Sequence, residues 1–193
     1  MIKRIDEFIG RAYDTAVKHG FHDEKTSIEH QLMLVIGEVG EAVEADRKNR
    51  HADLGLFDDA LRTRPFDECF KEYVKDTVED EISDVCIRIF DMCGYFGVKP
   101  YRSMEEILTL RDDWRNEFGG MRFSEQAFAL TQLLVSWSPT DVNNMNGVLS
   151  HVFGVALFFV HYWALEMGID LSRHIDLKMK YNASRGYKHG KNY

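Results

Sequence analysis

Proline is scarce in this sequence, with Pro65, Pro100 and Pro139 the three examples among 193 residues. Proline breaks the interior of a helix because it lacks an N–H donor and its ring clashes with the preceding turn. In the long stretches without proline, apolar residues recur at helical spacing. The pattern predicts an all-α helical bundle, with residues 1–193 forming a single domain.

Cysteine is also rare, which bears on redox function and on location. Cys69, Cys86 and Cys93 form no C-x-x-C pair, and the last two lie seven positions apart on a helical pattern, as small core residues would. An odd number of cysteines without a signal peptide points to a reducing environment. We therefore expect a cytoplasmic protein.

Positive charge is in deficit: 24 lysines and arginines face 32 aspartates and glutamates, a net charge of −8. Proteins that bind nucleic-acid backbones carry clustered Lys and Arg, so we expect no nucleic-acid partner. A small anionic substrate that arrives with its own metal ions stays compatible with this charge.

Long hydrophobic runs are limited to VFGVALFFVHYWAL, residues 152–165. A helix needs about 20 apolar residues to span a bilayer, and this run is shorter and contains His161. The sequence predicts a buried core helix here and no contact with a membrane.

Helical periodicity and stop signals divide the chain into predicted elements. Gly20 and Gly97 mark helix ends, and Thr26 or Ser27 is the expected N-cap of the second helix. The polar stretch 49–72 is predicted to be an irregular insertion with one or two short helices. The remaining predicted helices cover residues 2–18, 27–48, 74–96, 103–117, 123–137 and 141–168.

Two pairs of acids are the most informative pattern. Glu38 and Glu41 lie three positions apart on one predicted helix, and Glu81 and Asp84 do so on another. Residues at i and i+3 are neighbours on a helix surface, so each pair presents two carboxylates together. If the helices pack with the pairs facing, four carboxylates need a cation, and oxygen ligands suit Mg²⁺ or Mn²⁺ better than zinc. On spacing alone, a solvated helix face is the more common explanation of such pairs.

The neighbouring charged residues have simpler interpretations. Glu44, Asp46, Glu79 and Asp80 are predicted to be solvated, and Arg88 could pair with Asp84 one turn away. At the C-terminus, four residues share one predicted helix face, and by themselves they describe an exposed basic segment. They are His174, Lys178, Asn182 and Arg185.

These motifs together resemble a known superfamily. E-x-x-E followed by E-x-x-D on the next helix is similar to the metal motif of the MazG-like, all-α nucleoside triphosphate pyrophosphohydrolases, which include dimeric dUTPases and dCTP pyrophosphatases. The final segment, DLKMKYNASRGYKHGKNY, resembles the C-terminal segment of that superfamily, in which a Lys-x-x-x-Asn pair contacts phosphate. The resemblance covers about residues 24–97 and 166–193.

The resemblance implies an enzyme and assigns roles. Glu38, Glu41, Glu81 and Asp84 would hold Mg²⁺, with Mn²⁺ as a substitute, and Glu41 would be the general base. Lys178 and Asn182 would contact the triphosphate, with Arg185, Lys188 and Lys191 as further contacts, and Gln31 would contact base or sugar. The reaction would be Mg-dependent hydrolysis of a (deoxy)nucleoside triphosphate between the α and β phosphates. A homo-oligomer, with a dimer favoured, would be the assembly.

The second part of the chain also resembles a degenerate copy of the first. When Gly97 is aligned with Gly168, Glu81 falls on Val152 and Asp84 on Val155. Residues 1–100 would then be the metal-binding half, and 120–193 a half that has lost its carboxylates but supplies the phosphate-contacting segment. Dimeric dUTPases are organised in this way.

Two other classes of function compete with this one. A ferritin-like di-metal oxidase uses Glu-x-x-His on its core helices, and no credible core helix here carries that motif. A non-catalytic helical adaptor is the remaining alternative, and it would show no stabilisation by metal ions.

Overall fold

The computed structural model describes residues 4–100, 104–136 and 145–190, with the side chains of 104–108 excepted. Within these ranges the protein is helical and contains no strand, as the sequence predicts. The helices are α1 (Ile5–Lys18), α2 (Ile28–Arg47), α3 (Leu54–Ala60), α4 (Phe66–Tyr73), α5 (Val78–Phe96), α6 (Met104–Phe118), α7 (Phe123–Val135), α8 (Met145–Glu166) and α9 (Leu171–Ser184). A final turn covers Tyr187–Gly190.

The ends of α2 and α5 are set by local signals in the sequence. Ser27 is the N-cap of α2, and its hydroxyl accepts a hydrogen bond from the His30 backbone N–H at 3.2 Å. Thr77 caps α5 in the same way, accepting from Asp80 N–H at 3.3 Å. Gly97 ends α5 in the left-handed conformation, with φ of 64°. The beginnings of α2 and α5 and the end of α5 are therefore set by residues close by in the sequence.

Helix α5 lies at the centre and packs against α1, α2, α8 and α9. Its Ile82, Ile89 and Phe90 have no exposed surface. Helix α7 packs on α2, and α8 packs on both α7 and α5, so these four helices close a ring. One buried apolar cluster runs through the ring from Phe8 to Met179.

The insertion at 49–72 holds α3 and α4, which confirms the prediction of short helices there. It has a small core of its own around Phe57 and Phe70, which are 1% and 0% exposed. Tyr181 of α9 stacks on Phe70 with ring centroids 4.5 Å apart. The insertion is thus fastened to the helix that carries Lys178 and Asn182.

Helix α8 is longer than its most apolar run suggested. It has 22 residues and is the one helix in the described ranges that is long and apolar enough to cross a membrane. The length of the helix therefore does not exclude a membrane span, contrary to the argument from the apolar run 152–165. Its apolar window is 61% buried against the other helices, which is the environment of a core helix. Val152 is buried and Val155 half-buried; whether they descend from a duplicated acid pair stays a prediction.

Candidate metal and phosphate site

Helices α2 and α5 bring the two acid pairs face to face. A carboxylate oxygen of Glu38, one of Glu41 and one of Glu81 all lie within 4.8 Å of one another. Glu38 and Glu81 are buried, whereas Glu41 is exposed at the rim. Together with Asp84, one turn beyond Glu81, these residues form a group that we call the acid cluster.

Asp84 is held by a lysine from the end of the chain. The Lys178 ammonium lies 2.8 Å from Asp84 Oδ2 and 2.7 Å from Asp80 Oδ2. Lys178 is only 5% exposed, and the exposed-segment interpretation is wrong for it and for the buried His174 and Asn182. The cation predicted to contact phosphate is thus part of the acid cluster's own charge balance.

Arg88 supplies the second internal cation. Its Nε and Nη2 donate to Glu38 Oε1 at 3.0 and 2.9 Å, so the arginine reaches across to α2. The prediction that it pairs with Asp84 was wrong. The reason is geometric: Asp84 faces α9 and Lys178, while Glu38 lies opposite the Arg88 turn of α5.

Burial raises the pKa values of two acids of the cluster, Glu81 and Glu38. It raises the pKa of Glu81 to about 8, with Lys178 opposing the shift and Asp80, Asp84 and Glu41 adding to it. Burial, and after it the charge of Asp84, raise the pKa of Glu38. For Lys178, burial disfavours the charge, but the carboxylates of Asp84 and Asp80 outweigh it and raise the pKa. The two internal cations therefore leave the acids under-neutralised.

A hard divalent cation fits this donor set. The ligand atoms are all carboxylate oxygens, the type that Mg²⁺ and Mn²⁺ prefer. Mg²⁺ is commonly held by one or two protein carboxylates and by substrate phosphates, which matches a buried cluster with one exposed acid at its rim. Glu38, Glu41 and Glu81 are the residues that would hold the ion, with Asp84 available if Lys178 turns away.

Asp80 and Glu79 were predicted to be solvated, and this was wrong. Asp80 is 1% exposed; its Oδ2 accepts from Asp76 N–H at 3.0 Å, and its Oδ1 is buried without a partner in the described part of the chain. Burial raises the pKa of Asp80 to about 6, against the effect of Lys178. Oxygens of Asp76, Asp80 and Glu81 also lie within 4.8 Å of one another.

Glu79, in contrast, contacts residues at the start of the insertion 49–72. Its Oε2 accepts from Ala52 N–H at 2.9 Å, and its Oε1 lies 3.1 Å from His51 Nδ1. Glu79 therefore ties α5 to residues 51–52 and belongs to the scaffold. The position of Glu79 and Asp80 in the first turn of α5, directly after its N-cap, favours acidic residues but does not indicate that they are buried.

A cavity of about 200 Å³ opens beside the acid cluster. Glu38, Asp84 and Arg88 form one end of it, and Gln31, Thr26 and His22 line the other. Helix α9 and the segment after it contribute Asn182, Arg185, Lys188 and His189 to the lining. Asn182 Oδ1 is buried and finds no partner in residues 4–100, 104–136 or 145–190. The cavity thus joins carboxylates, cations and unpaired amide groups.

The C-terminal segment 185–190 is fastened over the loop that follows α1. Lys188 N–H donates to His19 C=O at 2.8 Å, and the Tyr187 hydroxyl donates to Asp23 Oδ2 at 2.8 Å. Lys188 and His189 have φ of 43° and 50°, a left-handed conformation that non-glycine residues adopt at some energetic expense. The fastening brings Arg185 and Lys188 to the cavity; Lys191 lies outside the described residues.

Comparisons of the chain with protein-family models, with curated proteins and with solved structures return no match. A function for this chain is therefore inferred from its fold and from the geometry of its site.

Proposed function

We propose that this protein is a Mg-dependent nucleoside triphosphate pyrophosphohydrolase that yields a nucleoside monophosphate and pyrophosphate. The observation that carries the proposal is the convergence of Glu38, Glu41 and Glu81 within 4.8 Å, beside a cavity that Glu38 and Asp84 line. Burying several acids together is costly, and a protein retains such an arrangement where it binds a cation or does chemistry.

The cations around the cavity support an anionic substrate. Arg88, Arg185 and Lys188 all line it, although the chain as a whole carries a net charge of −8. Arginine and lysine placed around a polyphosphate neutralise its oxygens and stabilise charge that develops during cleavage. A polyphosphate site combines a divalent ion with cationic side chains, and this cavity offers candidates for both.

Each residue has a definable task in the reaction. Bound Mg²⁺ would supply Lewis-acid activation of the phosphates and of a water molecule. Glu41, the exposed acid of the acid cluster, would be the general base and accept a proton from an attacking water. Lys178, already charged and held by Asp84 and Asp80, would turn its ammonium toward phosphate oxygens when a metal ion takes over Asp84. Asn182 can donate its amide N–H₂ to the same oxygens.

The test is a product assay against a panel of ribo- and deoxynucleoside triphosphates with Mg²⁺. Monophosphate and pyrophosphate are the expected products, and activity should disappear when EDTA is added. Glu41→Gln should lower kcat by about 10³-fold. Glu44→Gln is the matched control, since Glu44 lies one turn further along α2 and pairs with Lys48 at 3.0 Å outside the cluster. A wild-type protein that cleaves no nucleoside triphosphate, or an active Glu41→Gln, would contradict the proposal.

A further inference from the structure

The end of the cavity away from the acids is built around His22. Its ring lies between Tyr13 and Tyr95, with centroid distances of 5.4 and 4.7 Å. Its Nε2 is 2.7 Å from Asp91 Oδ1, and its side chain is only 10% exposed. Nothing in the proposed hydrolysis uses this group, although His22 and Asp91 both line the cavity.

Hydrogen-bond accounting defines what His22 offers to a ligand. We assign the neutral imidazole with its proton on Nε2, donated to Asp91, because a carboxylate has acceptors only. Nδ1 is then left as an acceptor, and it is buried without a partner among the described residues. A buried acceptor without a donor is unfavourable, and a ligand that donates would relieve it.

Gln31 offers a second acceptor at the same end. Its Nε2 donates to Thr26 Oγ1 at 2.8 Å, and its Oε1 is buried and unpaired within the described ranges. Thr26 N–H in turn donates to the Tyr95 hydroxyl at 3.4 Å, and Tyr95 packs on His22. The two unpaired acceptors therefore belong to one connected group of side chains.

The separation from the acid cluster fits a nucleotide. Helices α2 and α5 run antiparallel, since Glu38 meets Arg88 while Glu41 meets Glu81. Gln31 lies seven residues before Glu38, which is about 10 Å along a helix at 1.5 Å per residue. A substrate with its phosphates at the acids would extend its base toward His22 and Gln31.

We propose that His22 and Gln31 recognise the base, and that they select bases carrying an exocyclic amino group over uracil and thymine. The proposal rests on the proposed function. An amino group has two N–H donors, as many as there are unpaired acceptors at this end of the cavity. Uracil presents a carbonyl oxygen in the place of the amino group of cytosine, and an acceptor would then face acceptors.

The decisive measurement is kcat/KM for dCTP against dUTP, which differ at this edge of the base. Wild type should prefer dCTP by about 100-fold, since sites built around hydrogen bonds reject analogues that cannot form them. His22→Phe keeps an aromatic ring between the two tyrosines but removes both nitrogens, and the preference should fall below about 5-fold. Gln31→Met, of similar size, should weaken it independently. Glu24→Gln, an exposed residue of the same cavity, is the control and should keep the wild-type preference.

Failure of this proposal is distinguishable from failure of the proposed function. If wild type hydrolyses both substrates without preference, or His22→Phe keeps the preference, base recognition is assigned wrongly while the hydrolysis stands. If wild type hydrolyses no triphosphate, equilibrium binding of dCMP and dUMP tests base recognition alone. A dCMP preference that is lost in His22→Phe supports the proposal, and equal binding of the two overturns it.

Discussion

Helices α5 and α8 occupy comparable places in the bundle but have opposite interiors. Both belong to the same ring of helices and pack against each other, and both are followed by a glycine with positive φ, Gly97 at 64° and Gly168 at 71°. The buried side chains of α8 are apolar throughout its described length. Helix α5 instead buries Glu79, Asp80 and Glu81 in its first turns. The comparison shows that charge enters this core only where other residues are arranged to hold it.

The largest difference between the two helices should be functional. Asp84→Asn or Glu81→Gln should reduce nucleotide hydrolysis by about 10³-fold, because each removes charge where the cation would bind. Without metal, Glu81→Gln should be as stable as wild type or slightly more stable, because repulsion among the acids is relieved, whereas Asp84→Asn removes one partner of the buried Lys178 ammonium and should be less stable. Activity assays and thermal melts with and without Mg²⁺ check this. Wild-type turnover by either variant would remove that residue from the set of ligands.

Placing an acid on α8 should show why the acids of α5 need their partners. Val152→Glu puts a carboxylate at a position that is 5% exposed. We expect a loss of about 3 kcal/mol or more in the free energy of unfolding, since an unpaired buried charge is strongly unfavourable. Val155→Glu, at a half-buried position one turn away, is the control and should be much milder. Urea unfolding measures both, and equal stability of Val152→Glu and wild type would contradict the contrast.

Glu81 should make stability fall as pH rises. Its pKa in the folded state is about 8, above the ordinary value, so its contribution is complete below about pH 4.5 and is lost as pH rises through 8. Glu81→Gln should therefore be more stable than wild type at pH 9 without metal, and this advantage should shrink toward pH 5. Unfolding curves at several pH values measure the difference. A difference that does not vary with pH would show that Glu81 does not titrate in this range.

His161 on α8 should give a small effect of the opposite sign. Burial lowers its pKa to about 4, below the ordinary value, so its contribution to stability is complete above about pH 6.5 and is lost as pH falls toward 4. The ring is only partly buried, so we expect a loss of about 1 kcal/mol or less. His161→Phe should lack this decline between pH 6.5 and 4.5, as followed by thermal melting. An unchanged pH profile would mean that other groups dominate in that window.

Local patterns predicted the elements and part of the site. The i, i+3 acid pairs and the Ser27 and Gly97 signals correctly placed α2 and α5, because those features depend on neighbours in the sequence. Helical periodicity also put Glu81 and Asp84 together on one face of α5. Glu38 and Glu41 on α2 face Glu81 on α5, as the helical spacing of the acid pairs predicted.

Long-range packing decided what the sequence could not predict. The place of Lys178 depends on how α9 crosses α5, 98 residues from Asp80, and no local pattern encodes that crossing. The partner of Arg88 depended on which helix its long side chain meets. Asp80 is buried where Lys178 of α9 packs against it and donates to its carboxylate. An acid in the first turn of a helix is ordinarily solvated, so its position on α5 did not predict this burial.

The distance along the chain between Asp80 and Lys178 has a consequence for biosynthesis. At about 5–20 residues per second, roughly 5–20 s pass between synthesis of the first and of the second. During that interval α2 and α5 can meet, but their carboxylates lack the lysine that compensates them. The acids then oppose closure of the nascent core until α9 is made. Helix α9 supplies Lys178 to the acid cluster and Asn182 to the cavity, so a chain whose synthesis has not yet reached α9 has neither.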